Sequence, residues 1–257
     1  MNSRRLWNRI WPPLAAVILF ILVWQVSTSL FNIEQWVLPS PSTIADQAVS
    51  EAAGLWVHTF ATLRLMLLGF VIGSVVGLLV AFLLHYIPFL KSALYPLIIL
   101  SQNVPTIALA PLLMIWFGFG LLPKIIVITL VCFFPVAVAA MDGLTRTDRV
   151  MLDYMRMSGA SRRAIFTKLE VPHALPSIFS GLKIAATYSV MGAIIAEWIG
   201  ADKGIGYYMM LQKASFRTDR TFVAIAVIVI VSLAMFALVA LLEKWLIRYN
   251  PTEDKQK

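Results

Sequence analysis

Residues 157–177 read MSGASRRAIFTKLEVPHALPS, a basic, bent and punctuated segment between long apolar runs. Just upstream, Val150, Met151, Tyr154 and Met155 recur on one helical face, and Gly159 is placed to stop that helix. Ser161 is a natural N-cap for a second short helix with the apolar stripe Ile165, Phe166 and Leu169. Val171-Pro172 should end it, and Pro176 should open the next apolar block. The result is two short helices meeting at a sharp corner. A methionine-rich face flanked by arginines suits a groove on another protein, because methionine adapts to irregular surfaces and arginine pairs with carboxylates at the rim. The same arginines would also hold an amphipathic segment on anionic lipid, and the residues alone leave both readings open.

Outward from the corner the chain is hydrocarbon. Of 257 residues, 60% are hydrophobic and 13% charged, with mean hydropathy +0.84, a balance that places the protein in a membrane. The formal charge of +8 is spread over short loops and tails, where it meets lipid headgroups or sets topology; no long basic tract offers a nucleic-acid site. A single cysteine, Cys132, lies inside an apolar run, so neither a disulfide framework nor a Cys-based metal site is available.

A helix needs about 20 apolar residues to cross a bilayer core. Six blocks qualify, at about 12–31, 59–84, 93–117, 124–141, 176–199 and 221–247. The expected fold is therefore an all-α membrane protein of one domain over 1–257, with six transmembrane helices and a polar loop, about 142–175, between spans 4 and 5. Arg4, Arg5 and Arg9 ahead of the first block, with Ser27-Thr28-Ser29 behind it, also fit a cleaved signal peptide. Bulky Trp24 and Gln25 crowd that site, which favours a retained span.

Charge orients the six-span chain. The three N-terminal arginines, six basic residues between Asp142 and Leu175, and Lys244, Arg248, Lys255 and Lys257 fall on one side, which the positive-inside rule makes the cytosol, with both termini there. The loop from Asn32 to Val57 carries acids and no Lys or Arg, in agreement. One loop disagrees: Lys203, Lys213, Arg217 and Arg220 fall outside.

The spans differ in kind. Gly69, Gly73 and Gly77 form a small-residue stripe that lets another helix approach closely, either within one subunit or at a dimer seam. The third block is interrupted by Pro96, Pro105 and Pro111 and carries Ser101, Gln102 and Asn103 at its middle. Such a helix is bent or broken, and its freed polar groups either line a solute pathway or hydrogen-bond to neighbouring helices. Ionisable residues inside the spans are few. Glu197 lies near the outer end of the fifth span, where it should be solvated at an external gate or paired with Lys203 or Arg64. Glu243 lies near the inner end of the sixth, and Arg64 and Lys183 are close enough to span ends to snorkel. His58, His85 and His173 have no ligand spacing, so no metal site is expected. A proton relay, and hence ion-coupled transport, is poorly supported. No glycine-rich loop ending in Gly-Lys-Ser or Gly-Lys-Thr occurs, so energy for uphill transport would have to come from another chain.

The corner resembles the cytoplasmic Glu-Ala-Ala loop of binding-protein-dependent ABC importer permeases, in which that triplet precedes a glycine and, ten residues after it, Ile-x-Leu-Pro. Here the glycine is Gly159, followed by Ala160-Ser161, and the later positions read Leu169-Glu170-Val171-Pro172. The triplet reads Asp153-Tyr154-Met155, keeping the acid and replacing both alanines. "LPSPSTI", "VPTIALAPLLMIWFGFG" and "GADKGIGYYM" resemble the subgroup that imports sulfonates, taurine, nitrate and thiamine pyrimidine precursors.

The resemblance implies a type I importer fold. It implies two permease copies, identical in the simplest case, that form the pathway within membrane lipid. Two cytosolic ABC ATPase subunits would carry ATP and Mg, with no cofactor on this chain, and an external binding protein would deliver solute. It also implies that Asp153, Tyr154, Met155, Gly159, Ala160, Ser161, Arg162, Arg163, Phe166 and Pro172 form the ATPase-coupling loop. The expected localisation is the bacterial plasma membrane. "SQNVPTIALAPL" leans toward the thiamine-pyrimidine branch. An ATP-independent transporter or channel and a membrane scaffold remain as alternative classes.

Overall fold

The computed structural model describes residues 3–247; Arg248, Lys255 and Lys257 lie outside that range. The described residues form helices only: α1 Ser3–Leu30, α2 Pro41–Ser50, α3 Ala52–Tyr86, α4 Pro88–Ser101, α5 Thr106–Phe117, α6 Leu121–Thr145, α7 Arg149–Met157, α8 Arg162–Ile165, α9 Val171–Gly200, α10 Ile205–Ala214 and α11 Thr218–Leu246. A π turn, Phe166–Glu170, joins α8 to α9.

Helices α1, α3, α6, α9 and α11 are each long and apolar enough to cross a membrane. The third expected span is instead two helices, α4 and α5, meeting at 99°. Pro105 stands at the break, where it cannot donate to the turn before it, and Pro111 lies within α5. Packing shows that the pair still crosses from one end of the bundle to the other. Leu90, Tyr95 and Ile98 of α4 pack on Leu84, Met141 and Leu144, where α3 and α6 finish. Ala110 and Leu113 of α5 pack on Val127, Ile195 and Ala196, where α6 begins and α9 finishes. Counted this way, the described residues make six crossings, the third one broken.

Of the five helices that can cross on their own, α9 is the most enclosed and α1 the least, its apolar face uncovered. The core is α3 against α6 against α9, centred on Met66, Ile128, Cys132, Val136, Ala186 and Val190. The glycine stripe sets how closely α3 and α6 approach. A Cβ on Gly73 would stand 2.8 Å from the carbonyl oxygen of Thr129, and one on Gly77 would stand 2.9 Å from that of Phe133. On Gly69 a Cβ would collide with the Ile128 side chain. All three glycines thus pack within the subunit, and an added methyl would push the α6 backbone away.

At 35 residues, α3 runs about 52 Å at 1.5 Å per residue, well beyond a bilayer core of about 30 Å. Its start therefore projects into the α2–α10 layer. The "LPSPSTI" stretch builds α2: Pro39 is buried, Ser40 caps the helix by accepting from the Thr43 amide, and Pro41 opens it. Two of the four basic residues that disagreed with the charge rule are tied down in this layer. Arg217 pairs with Asp219 at 2.9 Å and Arg220 with Glu51 at 2.6 Å, while both guanidinium groups also donate to Gln47 Oε1.

Candidate functional site: a corner, a cleft and a capped loop

The corner starts at Asp148, whose carboxylate accepts from the amides of Val150 and Met151 and caps α7. Val150, Met151, Tyr154 and Met157 project from α7 at 76%, 54%, 69% and 89% exposure, an uncovered apolar face beside polar ground. Met155 is half-buried, so Met157 takes the place expected for it. Asp153 holds Arg156 at 3.3 Å. Gly159 has φ +75° with open space where a Cβ would stand, so glycine is used there for its backbone. Ala160 donates back to Met155 O, and Ser161 Oγ caps α8 by accepting from the Ala164 amide.

Ala160, Arg162 and Phe166 then seat the corner on the end of α3. The Phe166 ring lies edge-on to Phe82 at 5.5 Å, Arg162 stacks over the Tyr86 ring at 4.4 Å and donates to the Tyr86 carbonyl, and His85 Nε2 lies 3.1 Å from Glu170 Oε2. Together they border a cavity of about 510 Å3. Arg163 stays exposed. Pro172 corrects the sequence reading: it does not stop the helix. It sits in the first turn of α9, and the turn before it is π, with the Val171 amide donating to Phe166 O. The wider turn absorbs the residue whose N–H is missing, so helix runs continuously from Arg162 to Gly200 through both Pro172 and Pro176.

A cleft of about 640 Å3 opens between the α4–α5 break, α6 and α9. Gln102 and Pro105 line it, together with Thr106, Phe134, Tyr188 and Met191. Ser101 and Asn103 do not: Ser101 Oγ donates to Ile98 O and Asn103 Nδ2 to Leu100 O, closing the frayed end of α4 on itself. Of the three consecutive polar residues, only the middle one faces the cleft.

Glu197 is 2% exposed and pairs with neither Lys203 nor Arg64. Its Oε1 accepts from Thr62 Oγ1 at 2.8 Å and its Oε2 from the Gly206 amide at 2.8 Å. Thr62 Oγ1 in turn accepts from the Ile205 amide at 2.8 Å, and the Gly204 amide donates to His58 Nδ1 at 3.2 Å. These amides open α10, so a carboxylate, a hydroxyl and an imidazole satisfy the first turn of a helix that carries no cap of its own. Gly204 has φ +123°, and a Cβ there would overlap the Glu197 carboxyl group. Thr62 and His58 were missed from sequence; their one-turn spacing along α3, in phase with Gly69, is the only available signal. Lys183 does not snorkel, since its Nζ meets Glu243 Oε2 at 2.9 Å and ties α9 to α11.

A broken span thus lies beside a continuous one, with an exposed helical corner at one end of the bundle and a capped loop at the other. The chain matches the family of binding-protein-dependent transport system inner membrane components over residues 69–248 and belongs to it. A "Probable ABC transporter permease protein" of Haemophilus influenzae is 35% identical over 228 residues, 89% of this chain and 93% of that protein. The formylaminopyrimidine transport permease protein ThiX of Halalkalibacterium halodurans is 33% identical, covering 93% of this chain and 95% of its own length. Permeases named for riboflavin, aliphatic sulfonates and taurine also match. A solved amino acid ABC transporter with histidines shares the fold, with TM-score 0.64 at 18% identity over 77% of this chain and 96% of that one. The protein is thus a multi-pass inner-membrane permease of the ABC importer class.

Proposed function

We infer that this chain forms the solute pathway of an ABC importer together with a second, identical copy. Separate cytosolic ATPase subunits, holding ATP and Mg, drive it, and an external binding protein loads it. The corner at Gly159 is the observation that carries the reading. An exposed apolar α7 face meets a seated α8 there, and α8 continues unbroken for 39 residues, Arg162–Gly200, to the Glu197 cap. A displacement delivered at the corner reaches the opposite end of the bundle along one rigid element, because a helix transmits an axial push where a loop would absorb it. The corner then lies in the cytosol and the α10 layer outside, with both termini cytoplasmic. The fixed pairing of Arg217 and Arg220 with Asp219 and Glu51 leaves fewer free basic groups outside than the residue count suggests.

The solute is a small polar organic or anionic compound, with a thiamine pyrimidine precursor favoured by the relative named for formylaminopyrimidine transport. Uptake of a sulfonate, taurine or nitrate is the second reading within the family. The test is uptake into proteoliposomes containing the permease, its ATPase and its binding protein. Uptake should require hydrolysable ATP and vanish with Gly159→Pro while membrane insertion persists. Equal uptake without nucleotide would instead indicate a channel or secondary transporter, and no flux under any condition would indicate a scaffold.

A further inference from the structure

We propose that the cleft between the α4–α5 break, α6 and α9 is a membrane-embedded selectivity site for an uncharged, planar heteroaromatic solute. The proposal rests on the permease reading and specifies its substrate class.

The lining carries the argument. Tyr188 and Met191 project from α9 at 43% and 48% exposure, and with Phe134 of α6 they line the cleft. Two aromatic faces and a thioether bind a flat π system through stacking and sulfur contacts. Gln102 offers both a donor and an acceptor, Thr106 a hydroxyl, and Asp142 at the cytosolic mouth an acceptor suited to an exocyclic amine. Among the described residues, no Lys, Arg or His lines the cleft. Arg146, one turn beyond Asp142, is 3.6 Å from its carboxylate and paired with it. Lys183, adjacent in sequence to the lining residue Ile184, is turned to the other side of α9 by Glu243.

The break itself adds no net charge. The positive end of the α5 dipole at Thr106 and the negative end of α4 at Ser101 lie within five residues of each other and oppose one another. A polar ring with ring nitrogens and an amine can use both ends. A sulfonate or nitrate would meet a lining that bears an acid and no cation, which is unfavourable for a permanent anion.

Binding-protein specificity must be removed from the measurement, so the probe is the permease–ATPase complex in nanodiscs without its binding protein. Radiolabelled formylaminopyrimidine, riboflavin and taurine are tested by equilibrium dialysis. At least one of the two heteroaromatic compounds should bind, excess taurine should not displace it, and Tyr188→Ala should weaken it roughly tenfold, as loss of one aromatic stack does. Tyr188→Phe should retain most of the affinity. Binding of taurine, binding of neither ring compound, or ring binding indifferent to Tyr188→Ala would each overturn the proposal. ATP-driven transport by the wild-type complex with its binding protein is scored separately, so that loss of the permease reading is distinguished from loss of the site.

Discussion

Glu197→Ala tests whether the buried carboxylate is a helix cap. The substitution removes two hydrogen bonds to a charged acceptor, from Thr62 Oγ1 and the Gly206 amide, in a site 2% exposed. Bonds of that kind contribute about 1.5–3 kcal/mol each, so the cost is about 4 kcal/mol, or about 10 °C in Tm for a chain of this size. Glu197→Gln should behave differently. Its amide oxygen can keep the Gly206 N–H, and its amide nitrogen can donate to Thr62 Oγ1. The threonine hydroxyl then turns to His58 O, which already lies 3.3 Å away. Both charge-assisted bonds become neutral ones, at a cost of about 2 kcal/mol in total. Thermal denaturation of the detergent-purified permease reads both variants. Equal damage from Gln and Ala would mean that the charge, not the acceptor geometry, is what matters. An unshifted Tm for Glu197→Ala would refute the capping role.

Gly204→Ala should be worse than Glu197→Gln in the same assay, because it combines strain at φ +123° with a clash against the carboxyl group. Gly159→Ala has open space and only backbone strain, so it should lose about 1–2 kcal/mol and keep partial transport, whereas Gly159→Pro requires a negative φ and should abolish uptake with insertion intact. Gly73→Val should force α3 off the Thr129 carbonyl and lower expression of folded protein, as read by size-exclusion chromatography. Lys183→Met should destabilise by about 3 kcal/mol by leaving Glu243 unpaired, and adding Glu243→Gln should restore most of the loss in a double-mutant cycle.

Periodicity and breakers made much of this architecture legible in the sequence. The glycine stripe announced a close helix contact, the prolines around Gln102 announced a break, and Gly159 with Ser161 announced the corner, because each is a local backbone requirement written in residue type. The Glu197 cap was not legible, since its partners are a hydroxyl 135 residues away and backbone amides, which carry no residue signature. Nor could spacing say which of Ser101, Gln102 and Asn103 faces the cleft; that depends on how the end of α4 satisfies its own carbonyls. Pro172 misled for a definite reason: a proline reads as a stop only when the preceding turn is α, and here it is π.

The π turn also fixes an angular phase. It holds one residue more than an α turn would need, and each residue advances a helix by about 100°. Deleting one residue between Phe166 and Glu170 would therefore leave the membrane part of α9 locked by its glycine and alanine contacts, while Arg162 and Gly159 swing about the helix axis and leave their seat on Tyr86. The membrane bundle would assemble intact with its corner facing the wrong way, so deletion of a single codon would uncouple the corner from the bundle without unfolding either.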